Sequence, residues 1–274
     1  MNTSNINKSL NSSMNSAKNS MNTVVSNVKS GDPTTIVIVV IIGIFVLYLL
    51  RRLYTDYSFY NSGRQLIIDG TADETRLVTT AGKDIKPSID GRYGMEYTYS
   101  FWLFVENWTT TERMPIFVKG DTNGLLHAPS CTMEKSENKL HIMQDSLADG
   151  NSRSSEGCTI DNIPVQKWVH IVISLIGKNI DIYVNGRLSK RCELSGVGRL
   201  NMNNLTINAH HLINGEHSAN GKYKLSNFIY RNYAIRTWEL EREFTKGPNM
   251  KEYNSTDAPI DTTYLANDYW TKNQ

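Results

Sequence analysis

The stretch WVHIVISLIGKNIDIYVNGRL, residues 168–188, constrains the fold most strongly. Every second residue is apolar from 169 to 175, and again from 180 to 184. Because side chains alternate across a strand, this period predicts two β-strands, and their β-branched residues suit a packed sheet. Asn185 and Gly186 follow, and both accept the positive φ angles of a type I′ turn. The stretch therefore predicts two strands and a tight turn into a third.

Further short strand-like runs, separated by turn residues, predict an all-β sandwich rather than βαβ units. These runs are residues 97–105, 115–119, 140–144, 158–160, 205–208 and 225–230. The one good helix candidate is Thr237–Lys246, which Gly247-Pro248 should stop. We expect Thr237 to cap this helix and Trp238 to pack it on the sandwich.

An unbroken apolar run, IVIVVIIGIFVLYLL, occupies residues 36–50. With its flanking residues it reaches the length of a membrane-spanning helix, and Arg51 and Arg52 can extend to the head groups. A signal peptide would end at small residues instead of Arg-Arg, and a core strand would be shorter. The run predicts a single transmembrane helix over residues 33–54. Arg51, Arg52 and Arg64 follow the run, so the positive-inside rule favours a cytosolic C-terminal domain.

The remaining divisions follow from composition. Asn and Ser make up more than half of the first thirty positions, which predicts a disordered tail over residues 1–32. Residues 55–92 are expected to form a linker and the first strand or strands, and residues 93–250 the sandwich core. Residues 251–274 form a polar C-terminal tail, which we expect to dock on its own domain.

Four segments, in this order, resemble laminin-G-like domains of the concanavalin A-like lectin/glucanase superfamily. They are YTYSFWLFVENW (97–108), IFVKGD (116–121), the hairpin of residues 168–188, and KYKLSNFIYRNYAIRTWELEREFTKGP (222–248). The resemblance covers residues 64–250 and implies a jelly-roll sandwich. The N-terminal anchor and the helix ending in Gly-Pro are most similar to proteins of large nucleocytoplasmic DNA viruses.

Charge and cysteine content limit the partners and the covalent framework. The chain has 29 Lys and Arg against 27 Asp and Glu, so nucleic acid is not expected as a partner. Its three cysteines, Cys131, Cys158 and Cys192, leave at least one unpaired thiol. Two alternatives remain: a Cys131–Cys158 bridge, or three buried free thiols. The Asn-x-Ser/Thr sequons of the Asn-rich tail are interpreted as chance.

Catalytic and metal-binding patterns are sparse, which predicts that the protein is not an enzyme. Retaining glycosidases of this superfamily need two neighbouring carboxylates, whereas the hairpin offers only Asp181, which we expect on a solvated outer face. The adjacent His210 and His211 would point opposite ways on a strand and therefore cannot readily share a metal. Some relatives bind one Ca²⁺ at the rim, for which Asp121 and Asn123 are weak candidates. We expect no cofactor, with Asp121 bonding the backbone of its own turn.

Aromatic residues are the candidates for contact with a partner or a glycan: Trp108, Tyr264, Tyr269 and Trp270. Trp102 and Trp168 belong to predicted core strands. The favoured hypothesis is a non-enzymatic, membrane-anchored structural or binding protein, whose partners are the bilayer and other structural proteins. The viral resemblance implies a virion component, a minor capsid or internal-membrane protein that links membrane to capsid.

Two other functions are considered. A glycan-binding attachment or receptor protein requires the opposite topology, and glycans on Asn107 or Asn254 would support it. A glycoside hydrolase is the second alternative, and the missing carboxylate cluster argues against it.

Overall fold

The computed structural model describes residues 3–31, 33–91, 94–108, 113–121, 126–135, 137–147, 153–209 and 221–253. The chain divides into two compact units, Met1–Ser62 and Gly63–Gln274. The first unit carries two helices, and the second carries the strands and the C-terminal helix.

The first unit consists of α1 (Thr3–Lys29) and α2 (Pro33–Gly63). Within α2, the 23 residues Pro33–Thr55 are long and apolar enough to cross a membrane, and their side chains are not buried by the protein. The structure differs from the prediction of a disordered tail, because α1 is helical. Its side chains from Ser12 to Lys29 are all exposed, and its hydrogen bonds are local, including one from Thr23 Oγ1 to the carbonyl oxygen of Asn19 at 3.0 Å.

The second unit begins where α2 ends. Its strands are, in chain order, β1 (Arg64–Asp73), β2 (Val78–Thr80), β3 (Ile89–Gly91), β4 (Gly94–Asn107), β5 (Met114–Lys119), β6 (Ser130–Met133), β7 (Leu140–Leu147), β8 (Arg153–Ile160), β9 (Trp168–Ile176), β10 (Asn179–Val184), β11 (Arg187–Glu193), β12 (Val197–Gly198), β13 (Leu205–Ile207) and β14 (Lys222–Arg231). A 3-10 helix, Gly82–Asp84, lies between β2 and β3, and α3 (Thr237–Lys246) follows β14. The segment predicted as a linker and the first strand or strands, residues 55–92, contains the end of α2 followed by β1, β2 and β3.

The strands form two antiparallel sheets. Sheet A has the order β1-β14-β4-β9-β10-β11, with β3 beside β4. Sheet B has the order β12-β7-β6-β5-β13-β2, with β8 beside β7. The predicted sandwich is confirmed. The predicted hairpin is confirmed as well, since Asn185 and Gly186 have φ angles of 50° and 75° between β10 and β11.

The inner faces of the two sheets enclose an aromatic core. The ring centroid of Phe117 lies 5.3 Å from that of Tyr99 and 5.1 Å from that of Phe228. The ring of Phe101 stacks on that of Phe228, with 5.4 Å between the centroids. Phe117 comes from sheet B and the other three from sheet A, so this cluster joins the two sheets. Burial of such large apolar rings is the main stabilising contribution to a sandwich.

Both alternatives for the cysteines are wrong, because Cys158 is bonded to Cys192. Cys131 is a buried free thiol. In sheet B, β7 lies between β6 and β8, so Cys131 and Cys158 sit two strands, about 10 Å, apart. That separation is too great for a disulfide. Cys192 lies on β11, an edge strand of sheet A, and the bond therefore joins the two sheets at one side.

The C-terminal helix α3 departs from the prediction in two details. Its N-cap is Arg236 and not Thr237, and the Glu239 side chain accepts a hydrogen bond from the Arg236 backbone N–H. Trp238 does not pack α3 on the sandwich, because it is 48% exposed and lies beside Arg242. The buried residues of the helix are Glu239 and Leu240. The stop at Gly247 is confirmed.

Candidate functional site

Several predicted site residues fall outside the part of the chain that the structure describes. They are Asn123, Tyr264, Tyr269 and Trp270, together with His210, His211 and Asn254. Asp121 is described, and its Oδ1 accepts a hydrogen bond from the Leu126 backbone N–H at 2.8 Å. Among the described residues, no three His, Cys, Asp or Glu side chains are grouped so that they could hold a metal ion.

The structure corrects the placement of Trp108. It was a candidate for contact with a partner, but it is only 8% exposed and belongs to the core. Its indole N–H donates to the carbonyl oxygen of Glu134 at 3.1 Å. A ring in this position stabilises the sandwich and has no face available for a sugar or a partner.

The expected solvation of Asp181 is also wrong. Asp181 is 1% exposed, and the Arg191 guanidinium donates to both of its oxygens, at 2.5 and 2.6 Å. The two residues are opposite each other in β10 and β11. A bidentate pair of this kind fixes the position of the carboxylate. Asp181 is thus a structural residue of sheet A.

A buried ion cluster lies between α3 and the outer face of sheet A. Arg231, on β14, is fully buried, and its guanidinium donates to Oε1 of Glu243 and, at 3.1 Å, to Oγ of Ser100. Glu239 lies 3.6 Å from Arg231 Nε and accepts a hydrogen bond from the Tyr233 hydroxyl at 2.7 Å. The two carboxylates that the fold brings together therefore share the guanidinium of Arg231 and are covered by the helix that carries them.

His170 lies at the edge of this cluster. Its ring is 4.9 Å from Trp102 and 6.4 Å from Phe244, and its Nε2 is 3.9 Å from Oε2 of Glu243. Its Nδ1 is buried without a hydrogen-bond partner in the described residues. Burial lowers the pKa of His170 to about 4, although the Glu243 carboxylate raises it and Arg231 lowers it further. The imidazole is therefore neutral at physiological pH.

This histidine predicts a loss of stability in mild acid. The unfolded chain binds a proton near the usual pKa of 6.5, whereas folded His170 does so only at about 4. Its contribution is therefore fully present above pH 6.5 and is lost as the pH falls toward 4, by up to about 3 kcal/mol. Urea unfolding at pH 7, 5.5 and 4 should show a smaller pH dependence for His170→Phe than for the wild type. Equal dependence in the two proteins would contradict this assignment.

The outer face of sheet B, in contrast, is partly open to solvent: Ser155 is exposed and Thr132, His141 and Thr159 are half-buried, whereas Ser130 and Asp145 are buried. We call it the β6–β8 face, and it consists of Ser130, Thr132, His141, Met143, Asp145, Ser155, Gly157 and Thr159. The alternate residues Cys131, Ile142 and Cys158 point into the core, which fixes the direction of this set. Two cross-strand rows lie in the middle, Thr132–His141–Thr159 and Ser130–Met143–Gly157. Their spacing is that of neighbouring strands, about 5 Å.

Gly157 determines how His141 lies on this face. A Cβ atom at residue 157 would come 2.3 Å from His141 Nε2 and 3.1 Å from Met143 Sδ. The absence of a side chain thus lets the imidazole extend across β8. On its other side, His141 Nδ1 is 3.6 Å from Oε1 of Glu134, and Oε2 of the same carboxylate accepts a hydrogen bond from Arg113 Nε at 3.0 Å. Burial lowers the pKa of His141 despite Glu134, so at neutral pH the ring can both donate and accept a hydrogen bond.

One end of the β6–β8 face contains serine, histidine and aspartate, but not as a catalytic triad. Ser130 Oγ is 2.9 Å from His127 Nδ1. Asp145 accepts a hydrogen bond from the backbone N–H of His127 at 3.2 Å and from Ser155 Oγ at 2.6 Å. In a triad the carboxylate would orient the imidazole ring itself. Here Asp145 instead holds the backbone of His127 in place.

The sequence gives little indication of this face. Residues 130–133, SCTM, lack a clear apolar alternation, so β6 was not predicted and its neighbours could not be aligned. A useful signal would have been the side chains that point outward from the strands predicted over residues 140–144 and 158–160. These side chains are His141, Met143 and Thr159, which are polar or flexible, whereas the inward side chains of the same strands are apolar.

The chain has a remote similarity to solved structures of botulinum neurotoxin binding domains. No curated protein matches the chain. A botulinum neurotoxin serotype D ligand-binding domain in complex with N-acetylneuraminic acid has 11% identity and a TM-score of 0.48, over 67% of this chain and 45% of that chain. A structure of botulinum neurotoxin type C, a toxin whose cell entry depends on interaction with two ganglioside molecules, has 14% identity and a TM-score of 0.46. The similarity covers 69% of this chain and 52% of that chain. The chain thus spans about half the length of these structures, and likeness at this level does not bear on function.

The family comparison is more informative. The profile of Laminin_G_3, described as the concanavalin A-like lectin/glucanases superfamily, matches residues 84–226, just over half of the 274 residues. The matched region begins in the 3-10 helix and ends within β14, so it includes every strand of the β6–β8 face. The chain therefore belongs to the concanavalin A-like lectin/glucanase superfamily.

Proposed function

We propose that this protein is a single-pass, membrane-anchored binding protein without catalytic activity, and that it recognises a glycan through the β6–β8 face. The observation that carries the proposal is the contrast between the two sheets. The middle of the outer face of sheet A lies beneath α3, where Ser100, His170 and Arg231 are buried. The corresponding residues of sheet B, Thr132 and His141, remain partly exposed.

The chemistry of the face favours an uncharged polar ligand. Thr132 and Thr159 offer hydroxyl groups on either side of the neutral His141 ring, which can donate to one sugar hydroxyl and accept from another. Met143 lies one row away and supplies an adaptable apolar surface for the carbon face of a sugar ring. An oligosaccharide has both kinds of group, repeated along an extended chain.

The disulfide supports a location where glycans are displayed. Bonds of this type persist in oxidising compartments and are rare in the cytosol. Cys158 and Cys192 join the edges of the two sheets, so their pairing belongs to the folded domain. This observation favours a domain on the extracytosolic side, opposite to the topology expected from Arg51 and Arg52.

The second candidate is a structural link between a membrane and a protein shell, such as a virion component between an internal membrane and a capsid. It is favoured by the arginines Arg51, Arg52 and Arg64 that follow the apolar segment, because this charge bias places the domain in the cytosol. The ligand would then be a protein surface. Topology separates the two candidates.

Two measurements test the proposal. Protease protection of intact membranes should place residues 63–274 on the extracytosolic side, with the Cys158–Cys192 bond formed. The full-length protein in detergent micelles should then bind a defined set of glycans on an array. Gly157→Val, whose side chain would displace His141, should weaken this binding at least tenfold. The control Ser189→Val, on the exposed edge strand β11, should leave it unchanged.

A cytosolic domain that cross-links to a protein neighbour and binds no glycan would favour the structural link instead. Saturable glycan binding that is insensitive to Gly157→Val would contradict the assignment to the β6–β8 face. Hydrolysis of the bound glycan would contradict the absence of catalysis.

A further inference from the structure

The N-terminal helix α1 carries a narrow apolar seam. Its apolar residues recur at alternating spacings of three and four: Met14, Ala17, Met21, Val24 and Val28. In the sequence, Leu10 continues the spacing. This is the a/d pattern of a coiled coil, in which one apolar position falls on average every 3.5 residues. Apart from Val25, the other residues from Ser12 to Lys29 are Ser, Asn, Thr and Lys.

The protein itself does not bury this seam. Met14 and Met21 are 64% and 65% exposed, and all side chains from Ser12 to Lys29 are exposed. Ser and Asn have low intrinsic helix propensity, because their side chains compete for backbone hydrogen bonds. A helix of this composition therefore needs burial of its apolar positions to be stable.

We infer that α1 pairs with α1 of a second copy of this chain, as a parallel coiled coil beside the membrane. The inference goes beyond the proposed binding function and rests on the proposed anchor. The helix α2, which carries the apolar segment, begins at Pro33, only four residues after α1 ends at Lys29. Anchors in one bilayer hold two copies parallel and at the same depth, which sets the register of their seams.

Charge is compatible with this register. Residues at g and e positions face each other across a parallel coiled coil. With Met14 and Met21 at a positions, Lys18 at position e of one copy faces Ser13 at position g of the other. Lys29 lies at position b, outside the seam, so no two lysines oppose each other there. The pairing thus brings no like charges together.

The length of the seam indicates why the anchor matters. Residues 14–28 rise about 21 Å, only two heptads, which is marginal for association of free helices in water. Two chains in one membrane experience a much higher effective concentration. Insertion of α1 into the lipid surface is the competing arrangement. Helices that do so usually present Trp, Phe or Leu opposite a strongly basic face, whereas α1 has no aromatic residue and mainly Ser and Asn.

Site-directed cross-linking tests the inference in the full-length chain, reconstituted at low density in phosphatidylcholine vesicles. Met21→Cys places a thiol in the seam, and the matched control Asn19→Cys places one on the opposite side of the same turn. On mild oxidation, Met21→Cys should form at least ten times more disulfide-linked dimer than Asn19→Cys. Adding Val24→Lys to Met21→Cys should reduce this yield to that of the control.

Equal cross-linking at the two positions, or none at either, would overturn the inference. In vesicles that hold a single chain, protection of Met21→Cys from a water-soluble maleimide would also overturn the inference. It would show that α1 inserts into the lipid surface instead. If the chain does not pellet with the vesicles, this result would contradict the proposed membrane anchor but not the pairing of α1. The contrast between the two positions would then be measured on the same chain in solution, at a concentration as high as two chains in one membrane experience, and equal cross-linking there would overturn the pairing.

Discussion

Replacing Arg231 with methionine is expected to lower the free energy of unfolding by about 3–5 kcal/mol, the usual cost of removing one partner from a buried ion pair. Arg231 is fully buried and contacts Glu243, Glu239 and Ser100. Methionine fills much of the volume but removes the guanidinium that lies against both carboxylates. Urea unfolding followed by tryptophan fluorescence measures the effect, since Trp102 lies beside this cluster.

Two variants make this result interpretable. Arg113→Met removes a guanidinium that is 63% exposed and paired with Glu134, and it should cost no more than about 1 kcal/mol. Adding Glu243→Met to Arg231→Met should restore part of the lost stability, because it removes one of the unpaired charges. A cost of Arg231→Met as small as that of Arg113→Met would mean that α3 does not cover the cluster.

Removing the Cys158–Cys192 bond is expected to lower the free energy of unfolding by about 4 kcal/mol, because the unfolded chain regains the freedom of a loop closed over 34 residues. The double variant Cys158→Ala/Cys192→Ala should show this loss in urea unfolding under non-reducing conditions. Its stability should not change when a reductant is added, whereas that of the wild type should fall.

Cys131→Ala is the matched control, because Cys131 is buried and unpaired. It should remain as sensitive to reductant as the wild type. A double variant as stable as the wild type would mean that the bond contributes nothing to holding the sheets together, and the argument for an oxidising compartment would lose its basis.

Features that depend on local sequence were predictable. The hairpin at Asn185-Gly186 follows from two residues that accept positive φ angles, and the strands beside it follow from their period of two. The helical form of the apolar segment within α2 follows from its length and composition. The sandwich follows from many such strands separated by turns.

Features that depend on register were not predictable. A regular two-residue hairpin would place Asp181 opposite Lys190, but an irregularity between Ile182 and Tyr183 places it opposite Arg191. That shift of one residue gives the buried carboxylate an arginine as its partner in place of a lysine. The pairing of Cys158 with Cys192 depends on two sheet edges that meet only after all strands are in place. The β6–β8 face depends on β6, which has no apolar period.

The strand order of sheet A also determines when this domain can fold during synthesis. Its first strand, β1, pairs with β14, the last, and β14 also separates β1 from β4. Roughly 10–30 s of translation pass between the two strands at ordinary rates of elongation. During that time the apolar segment has already emerged, while β1 and one side of β4 have exposed backbone groups that can pair with other chains. The nascent domain must therefore be shielded until Arg231 has been made.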